Sequence, residues 1–267
     1  MSRPILPGAA LGVLGGGQLG RMFALAARAM GYRVHILSDS PTGPAAGIAD
    51  ELIIAPYDDA DAAARLARGV SVVTFEFENV ASACVEAAAQ HAATCPGAHV
   101  LHVAQNRLRE KTAIEKMGVP VPPFAAVRAA TDIEPALKRA GAPAIMKTAA
   151  SGYDGKGQAV VSDVAHAQQA WESLGSVECI VESFVDFQAE LSVVVGRNTD
   201  GQIAVYAPFQ NEHSNHILDI TTTPAAMSTA IAQQAMDIAR TIATSLDLEG
   251  VLCVEFFLTR DEQLLVN

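Results

Sequence analysis

Lys147-Thr148-Ala149-Ala150-Ser151-Gly152-Tyr153-Asp154-Gly155-Lys156-Gly157-Gln158 is a glycine-rich stretch with lysines at both sides. Glycines let backbone amides turn toward phosphate oxygens without steric penalty, and two ammonium groups supply charge to neutralise them. The stretch predicts a clamp for nucleotide phosphates, which points to ATP chemistry. Pro143-Ala144-Ile145-Met146 predicts a short strand delivering Lys147, and Ala159-Val160-Val161 a strand leaving the loop, so the glycines should cap a hairpin. It is not a P-loop, because no Ser or Thr follows a Gly-Lys pair and no helix signal begins there. A mobile surface hairpin is the plain alternative.

A second glycine cluster supports a competing reading. Leu11-Gly12-Val13-Leu14 predicts a strand, and Gly15-Gly16-Gly17-Gln18-Leu19-Gly20 then fits G-x-G-x-x-G at the mouth of a helix. Asp39 follows the next strand, 33–37, about where a dinucleotide fingerprint wants an acid for a ribose hydroxyl. A nicotinamide or flavin oxidoreductase is therefore an alternative. The same pattern serves any tight strand-to-helix turn, whether its anion is a pyrophosphate or a substrate monophosphate.

Half of the 267 residues are hydrophobic, enough to bury a substantial core in one large domain or two to three small ones. Lys and Arg number 18 against 29 Asp and Glu, a net charge of −11, and no basic stripe suits nucleic acid. Arg107, Lys111, Lys147 and Lys156 can still form a local positive pocket for ATP. No apolar run reaches membrane-spanning length, and Met1-Ser2-Arg3-Pro4 does not begin a signal peptide, so a cytosolic protein is expected, with no membrane partner. Cys84, Cys95, Cys179 and Cys253 show no metal or redox spacing and are expected to be reduced packing residues.

From 11 to about 104, apolar strands alternate with alanine-rich helices: strand 11–14, helix 18–30, strands 33–37 and 52–54, helix 59–68, strand 70–75, helix 80–92. That rhythm predicts a parallel sheet covered on both faces. A helix over 105–117 carries Arg107 and Lys111 and closes at Gly118, before Val119-Pro120-Val121-Pro122-Pro123 breaks the chain. A small α+β block follows: strand, helix 132–140, strand, glycine loop, strand, helix 164–174, strand 178–182. Strands 190–195 and 203–209, antiparallel across Asn198-Thr199-Asp200-Gly201, precede helix 224–246 and strand 251–258. Asp261-Glu262 should turn the chain into a last strand, 263–266. The expected domains are 1–104, 105–182 and 183–267.

Two acids stand out. Glu255 interrupts Val251-Leu252-Cys253-Val254-Glu255-Phe256-Phe257-Leu258, a run apolar enough to suggest a buried central strand, where an unpaired carboxylate is costly. A magnesium ion would compensate it, and a buried ion pair is the alternative. Glu76 ends strand 70–75, where open α/β sheets place ligands. The neighbouring Glu78-Asn79 pair is expected to cap the following helix.

Together these motifs resemble the ATP-grasp ligases, and within them the 5-(carboxyamino)imidazole ribonucleotide synthases of purine biosynthesis. Leu14-Gly-Gly-Gly-Gln-Leu-Gly-Arg-Met22, Thr74-Phe-Glu-Phe-Glu-Asn-Val80 and Ser151-Gly-Tyr-Asp-Gly-Lys-Gly-Gln158 are similar to that family's signatures, in order and spacing. So are Val181-Glu-Ser-Phe-Val-Asp-Phe187 with Glu190-Leu-Ser-Val-Val194, Gln210-Asn-Glu-His213 with His216-Ile217-Leu218, and Cys253-Val-Glu-Phe-Phe257. The resemblance implies an α/β chain: an ATP-grasp fold preceded by a Rossmann-like pre-ATP-grasp domain over 1–104. The lid would span 105–182, and an incomplete C-terminal grasp domain 183–267.

The reaction implied is biotin-independent. ATP phosphorylates bicarbonate to carboxyphosphate, which delivers carbon dioxide to the exocyclic amine of aminoimidazole ribonucleotide. By the same resemblance Arg107 and Lys147 hold the ATP phosphates, and Gly152, Tyr153, Asp154, Gly155, Lys156, Gly157 and Gln158 close over them. Glu182 with the backbone of Ser183, Phe184 and Val185 reads the adenine, Glu190 takes the ribose hydroxyls, and His213 lies by the phosphates. Asn267 completes the ATP contacts, and Glu255 is the magnesium ligand. Tyr153, Asp154 and Lys156 are the implied catalytic residues. Gly17, Gln18, Leu19 and Glu76 line the ribonucleotide, with the glycines at 15–20 facing its 5′-phosphate.

In the family a Glu follows this Asn as the second metal ligand, and a basic, glycine-containing segment comes after it. The expectation is therefore a C-terminally truncated chain, short of one ligand and of low activity. A homodimer is implied only by resemblance. A formate-dependent transformylase or a biotin carboxylase type would share the loop and Glu255, and a catalytically dead ATP-grasp binder stands as a third class. The oxidoreductase reading leaves residues 147–158 and Glu255 unexplained.

Overall fold

A computed structural model of the chain describes residues 4–150, 157–214 and 217–267. Two units emerge: one runs to His102 and takes in Asn198–Gln202 and Leu248–Val251, and the other comprises Val103–Arg197, Ile203–Asp247 and Leu252–Asn267.

In the first unit, the alternation of strands and alanine-rich helices yields β1 (Ala10–Leu14), α1 (Gln18–Ala29), β2 (Arg33–Ser38), β3 (Glu51–Ile54), α2 (Ala60–Arg68), β4 (Val72–Phe75), α3 (Ser82–Ala89) and β5 (Ala93–Thr94). The strands form one parallel sheet in the order β3-β2-β1-β4-β5. Successive strand residues point to opposite faces, so each face has its own core. Val13, Val34 and Ile36 pack with Ala24 and Ala27 of α1, and Leu14, Leu37 and Val73 pack with Ala62, Leu66 and Val85 of α2 and α3. The expected two-sided sheet is present. Asp59 caps α2 by accepting from the Ala62 amide at 2.9 Å. α3 starts beyond Glu78-Asn79, with Ala81 at its N-cap position. Neither β5 nor α4 (Ala98–Ala104) was expected, since both are too short to display a period.

The second unit opens with α5 (Arg107–Lys116), where Asn106 Oδ1 accepts from the amides of Leu108 and Arg109 at 3.0 and 3.1 Å. Then come β6 (Phe124–Val127), α6 (Ile133–Ala140), β7 (Ala144–Thr148), β8 (Gln158–Val161), α7 (Val164–Ser173) and β9 (Cys179–Ser183). The strands form an antiparallel sheet, β6-β9-β7-β8. Ala144, Met146, Cys179 and Val181 face α6 and α7 and bury against Ile133, Ala136, Leu137 and Ala167. By alternation, Lys147, Ile180 and Glu182 occupy the other face, where Leu108 of α5 meets Ile180.

The rest is a second antiparallel sheet. Its elements are β10 (Phe187–Arg197), β11 (Ile203–Val205), β12 (Phe209–Ser214), β13 (Ile217–Thr222), α8 (Thr229–Ser245), β14 (Gly250–Thr259) and β15 (Leu264–Val266). The order is β13-β12-β10-β14-β15, with β11 also on β10, which α8 covers. The predicted strand 203–209 is split at Pro208, which has no amide to give a ladder. The polar β12–β13 pair was not foreseen. The helix predicted from 224 begins at Thr229, after the Ser228 cap. The buried strand expected around Glu255 is half-buried: Val254, Phe256 and Leu258 are inside, while Val251, Cys253 and Glu255 are exposed. Glu255 therefore pays no burial cost; a cysteine and phenylalanine on the open face hide the alternation. All four cysteines are free; Cys84 and Cys179 are buried packing residues, whereas Cys253 is exposed.

Candidate nucleotide and substrate site

In the first unit the glycine turn between β1 and α1 wraps a carboxylate. The Gly17 amide donates to Glu76 Oε1 at 2.8 Å, and the Gly16 amide to the Tyr57 hydroxyl at 3.1 Å. A Cβ on Gly15, whose φ is +129°, would lie 2.6 Å from Glu76, and one on Gly20 would lie 2.6 Å from the Gly15 carbonyl oxygen. The glycines are therefore needed to admit Glu76 and a tight helix entry. This is the physical reason the dinucleotide reading fails: two amides that would cradle a pyrophosphate are already engaged. Asp39, its ribose acid, is exposed. Gln18 and Leu19 are exposed in the first turn of α1, which has no side-chain cap.

In the second unit, Lys147 and Glu182 form a buried ion pair, Nζ to Oε2 at 2.8 Å, with the residues only 8% and 3% exposed. The ladder explains it: Lys147 faces Ile180 and Ile145 faces Glu182, so the two charges are diagonal neighbours on one face. Glu182 Oε1 is buried with no hydrogen-bond partner, an acceptor waiting for a donor. Burial alone would raise the Glu182 pKa, but Lys111 and Lys147 outweigh it and hold the carboxyl below its ordinary range. Burial pushes nearby Glu110 up to about 7, against the pull of Lys111 and Arg107, with Glu182 and Glu255 adding to the rise. Glu110 thus senses Glu182 of one antiparallel sheet and Glu255 of the other.

On the open face of the second sheet, Glu190 Oε2 lies 2.9 Å from His213 Nδ1. Burial raises the Glu190 pKa, His213 opposes that, and Glu255 adds to it. Pairing of Phe256 with Val266 continues one step further, where the Asn267 amide donates to the Glu255 carbonyl at 2.9 Å. Directly opposed residues share a face, so Glu255 and Asn267 emerge together.

Gly152, Tyr153, Asp154, Gly155 and Lys156 lie outside the described residues. The strands on either side do form the expected hairpin, Lys147 pairing with Gln158 and the Thr148 amide donating to the Gly157 carbonyl at 2.8 Å. The Arg107 amide donates to the Ala149 carbonyl at 2.8 Å, placing the start of α5 at the loop's root. Of the backbone expected to read adenine, the Ser183 and Phe184 amides already donate to the Pro123 and Pro143 carbonyls, and the Ser183 hydroxyl to the Ala140 carbonyl. Two residues exceed their expected part. Lys111, expected only to add positive charge, is 2% exposed, and Glu110 was not singled out. The i, i+4 spacing of Arg107 and Lys111 was the available signal.

The ATP-grasp domain family matches residues 112–267, and the ribonucleotide synthetase pre-ATP-grasp domain family residues 9–105. With a parallel first sheet, two antiparallel sheets and these two family matches, the chain is an ATP-grasp protein, of the class of ATP-dependent ligases. N5-carboxyaminoimidazole ribonucleotide synthase of Bacillus subtilis strain 168 is 40% identical over 268 residues, covering 100% of this chain and 70% of the relative. A solved ADP complex of an N5-carboxyaminoimidazole ribonucleotide synthetase superposes with a TM-score of 0.94 at 40% identity, over 100% of this chain and 71% of that one. The Aspergillus clavatus enzyme, solved with ADP and 5-aminoimidazole ribonucleotide, gives 0.88 at 26% identity, over 97% and 68%. This chain belongs to the N5-carboxyaminoimidazole ribonucleotide synthase family.

Proposed function

We propose how the residues of this chain divide the work of the family's reaction, the ATP-dependent carboxylation of 5-aminoimidazole ribonucleotide in purine biosynthesis. The carrying observation is Glu182: a buried carboxylate tied to Lys147 by one oxygen and left with a free acceptor in the other. An adenine amino group is a donor of the right kind for that oxygen. Since the Ser183 and Phe184 amides are engaged, the Val185 amide is left to meet the ring. Lys147 and Arg107 neutralise phosphates, and Glu190 offers Oε1 to the ribose while Oε2 holds His213 beside the phosphates.

A magnesium ion suits the second sheet. Glu255 is an exposed carboxylate and Asn267 carries an amide oxygen on the same face, both hard donors. Among the described residues no three His, Cys, Asp or Glu side chains could hold a metal alone, so phosphate oxygens would complete the shell. When bound, the ion neutralises charge on the transferred phosphoryl group. The chain's own groups orient the γ-phosphate toward bicarbonate, giving ADP and carboxyphosphate. That mixed anhydride breaks to carbon dioxide and phosphate, and the ribonucleotide amine adds to carbon dioxide with loss of a proton. Glu76, fixed by Gly17, keeps Oε2 to accept from an amine or ribose hydroxyl. With the Gly16 and Gly17 amides engaged, any 5′-phosphate contact falls to the first-turn amides of Gln18 and Leu19.

Residues 1–104 serve the ribonucleotide in this reading, with 105–182 as the lid and 183–267 as the grasp domain. Tyr153, Asp154 and Lys156 act over the reacting groups, a role supported by the family motif alone. A cytoplasmic location, where ATP and bicarbonate are at hand, and a homodimer belong to the same proposal. The test is bicarbonate- and ribonucleotide-dependent ADP release, with labelled bicarbonate followed into product. Lys147→Ala should lower turnover at least about tenfold, the loss of one charge-assisted contact. Unchanged turnover in that variant would remove Lys147 from the phosphate site.

A further inference from the structure

Among the described residues, Lys111 is the most deeply buried charged side chain, 2% exposed. Its ammonium donates to the Val266 carbonyl at 2.8 Å. That carbonyl belongs to the peptide group joining Val266 to Asn267, whose N–H donates to the Glu255 carbonyl at 2.9 Å. A peptide group is planar, so holding its oxygen and its hydrogen, with Val266 itself held opposite Phe256 in the ladder, fixes the plane. The direction in which Asn267 leaves β15 is fixed with it. The preceding amide, Val266, donates to the Pro120 carbonyl at 2.9 Å, which holds the strand end on its other side.

Such an arrangement is expensive. Burying an ammonium costs several kcal/mol, and a hydrocarbon of similar size would pack without that penalty. Burial holds the ammonium pKa below its ordinary value; Glu182 and Glu110 offset part of the cost through space, and Lys147 and Arg107 add to it. Lys111 also sits one helical turn after Arg107, on the same side of α5, so a rigid turn links the phosphate-facing arginine to the end of β15.

We infer that Lys111 is a positioning residue: it clamps the Val266–Asn267 peptide so that Asn267 and Glu255 present their oxygens together, in register with Arg107. The inference rests on the roles given above to Glu255 and Asn267, yet its first readout needs neither activity nor metal. Hydrogen exchange at the Asn267 amide, measured in the full chain without ligands, should accelerate about tenfold or more in Lys111→Met while exchange in β1 and β4 stays unchanged. The second readout is magnesium dependence. Lys111→Met should raise the half-activating magnesium concentration for ATP turnover about tenfold, while magnesium-free ADP affinity stays within about threefold.

Lys111→Arg, which keeps donor and charge, should recover most of both readouts. Unaltered Asn267 exchange overturns the inference even if turnover falls. A loss of ADP affinity as large as the magnesium effect would make Lys111 a phosphate-field residue and also overturn it. Should neither variant fold cooperatively, Lys111 is a core-packing residue and the positioning role is wrong. Where the wild-type chain turns over no ATP, the exchange readout alone decides the inference.

Discussion

Replacing Lys147 by methionine strips one partner from a buried ion pair and leaves Glu182 with two unsatisfied oxygens, since Oε1 already has no partner. Breaking such a pair costs about 3–5 kcal/mol. At roughly 2–4 °C per kcal/mol, the melting temperature of the second unit should drop by about 6–20 °C. The deficit should depend on pH. In the wild type, Lys111 and Lys147 hold the buried Glu182 carboxyl below its ordinary pKa. A depressed folded-state pKa adds stability above the unfolded pKa, and that contribution is lost as pH falls through the folded value. In Lys147→Met the carboxyl pKa rises, so the variant should be worst near neutrality and approach the wild type as acid protonates Glu182. Urea unfolding between about pH 4.5 and pH 8 measures this. The double variant Lys147→Met/Glu182→Leu should regain most of the stability, because a packed apolar pair can replace a buried ionic one, while ATP turnover stays lost. A deficit under about 1 kcal/mol, or one that does not change with pH, would refute the argument that the pair is desolvated and charged.

Glu182→Gln should narrow the preference for ATP over inosine triphosphate, which carries a 6-oxo group in place of the amino group, by about 10–100-fold in kcat/KM; an unchanged ratio removes Glu182 from adenine reading. Gly17→Ala and Gly20→Ala should behave differently. At Gly17 an added Cβ meets Glu76 Oε1 at 3.0 Å, a movable group, so KM for the ribonucleotide should rise with little change in melting temperature. At Gly20 it meets a backbone carbonyl oxygen at 2.6 Å, so the first unit should lose about 1–3 kcal/mol, and equal behaviour of the two variants in both assays would count against this geometry. Glu76→Gln keeps an acceptor for the Gly17 amide and should leave ATP KM unchanged while ribonucleotide KM rises; a shift in ATP KM instead would move Glu76 out of the ribonucleotide's half of the reaction.

The first sheet was legible because its strands are continuous apolar runs separated by helices whose alanines pack close. The β14 strand was misread for the opposite reason: Val251, Cys253 and Phe257 on its open face make a one-sided strand look two-sided, which turned an exposed Glu255 into an expected buried one. The Lys147–Glu182 pair spans 35 positions and arises only from the offset of two antiparallel strands, a register that no local pattern encodes. Lys111 and Val266 are 155 positions apart, and a carbonyl has no residue identity to signal a partnership. The polar run Gln210-Asn-Glu-His213 carries no hydrophobic alternation, which is why its strand went unseen.

The turn that holds Glu76 carries a tethered competitor. A free dinucleotide arriving at the amides of Gly16 and Gly17 must displace a phenol and a carboxylate attached to the same chain, whose local concentration far exceeds that of any dissolved anion. The same turn favours molecules that bring hydrogen-bond donors. A sugar hydroxyl or an amine meets the spare oxygen of Glu76 without evicting anything. One side chain arriving from β4 thereby inverts the selectivity of a glycine-rich turn, from anion receptor to donor receptor, without changing a glycine in it.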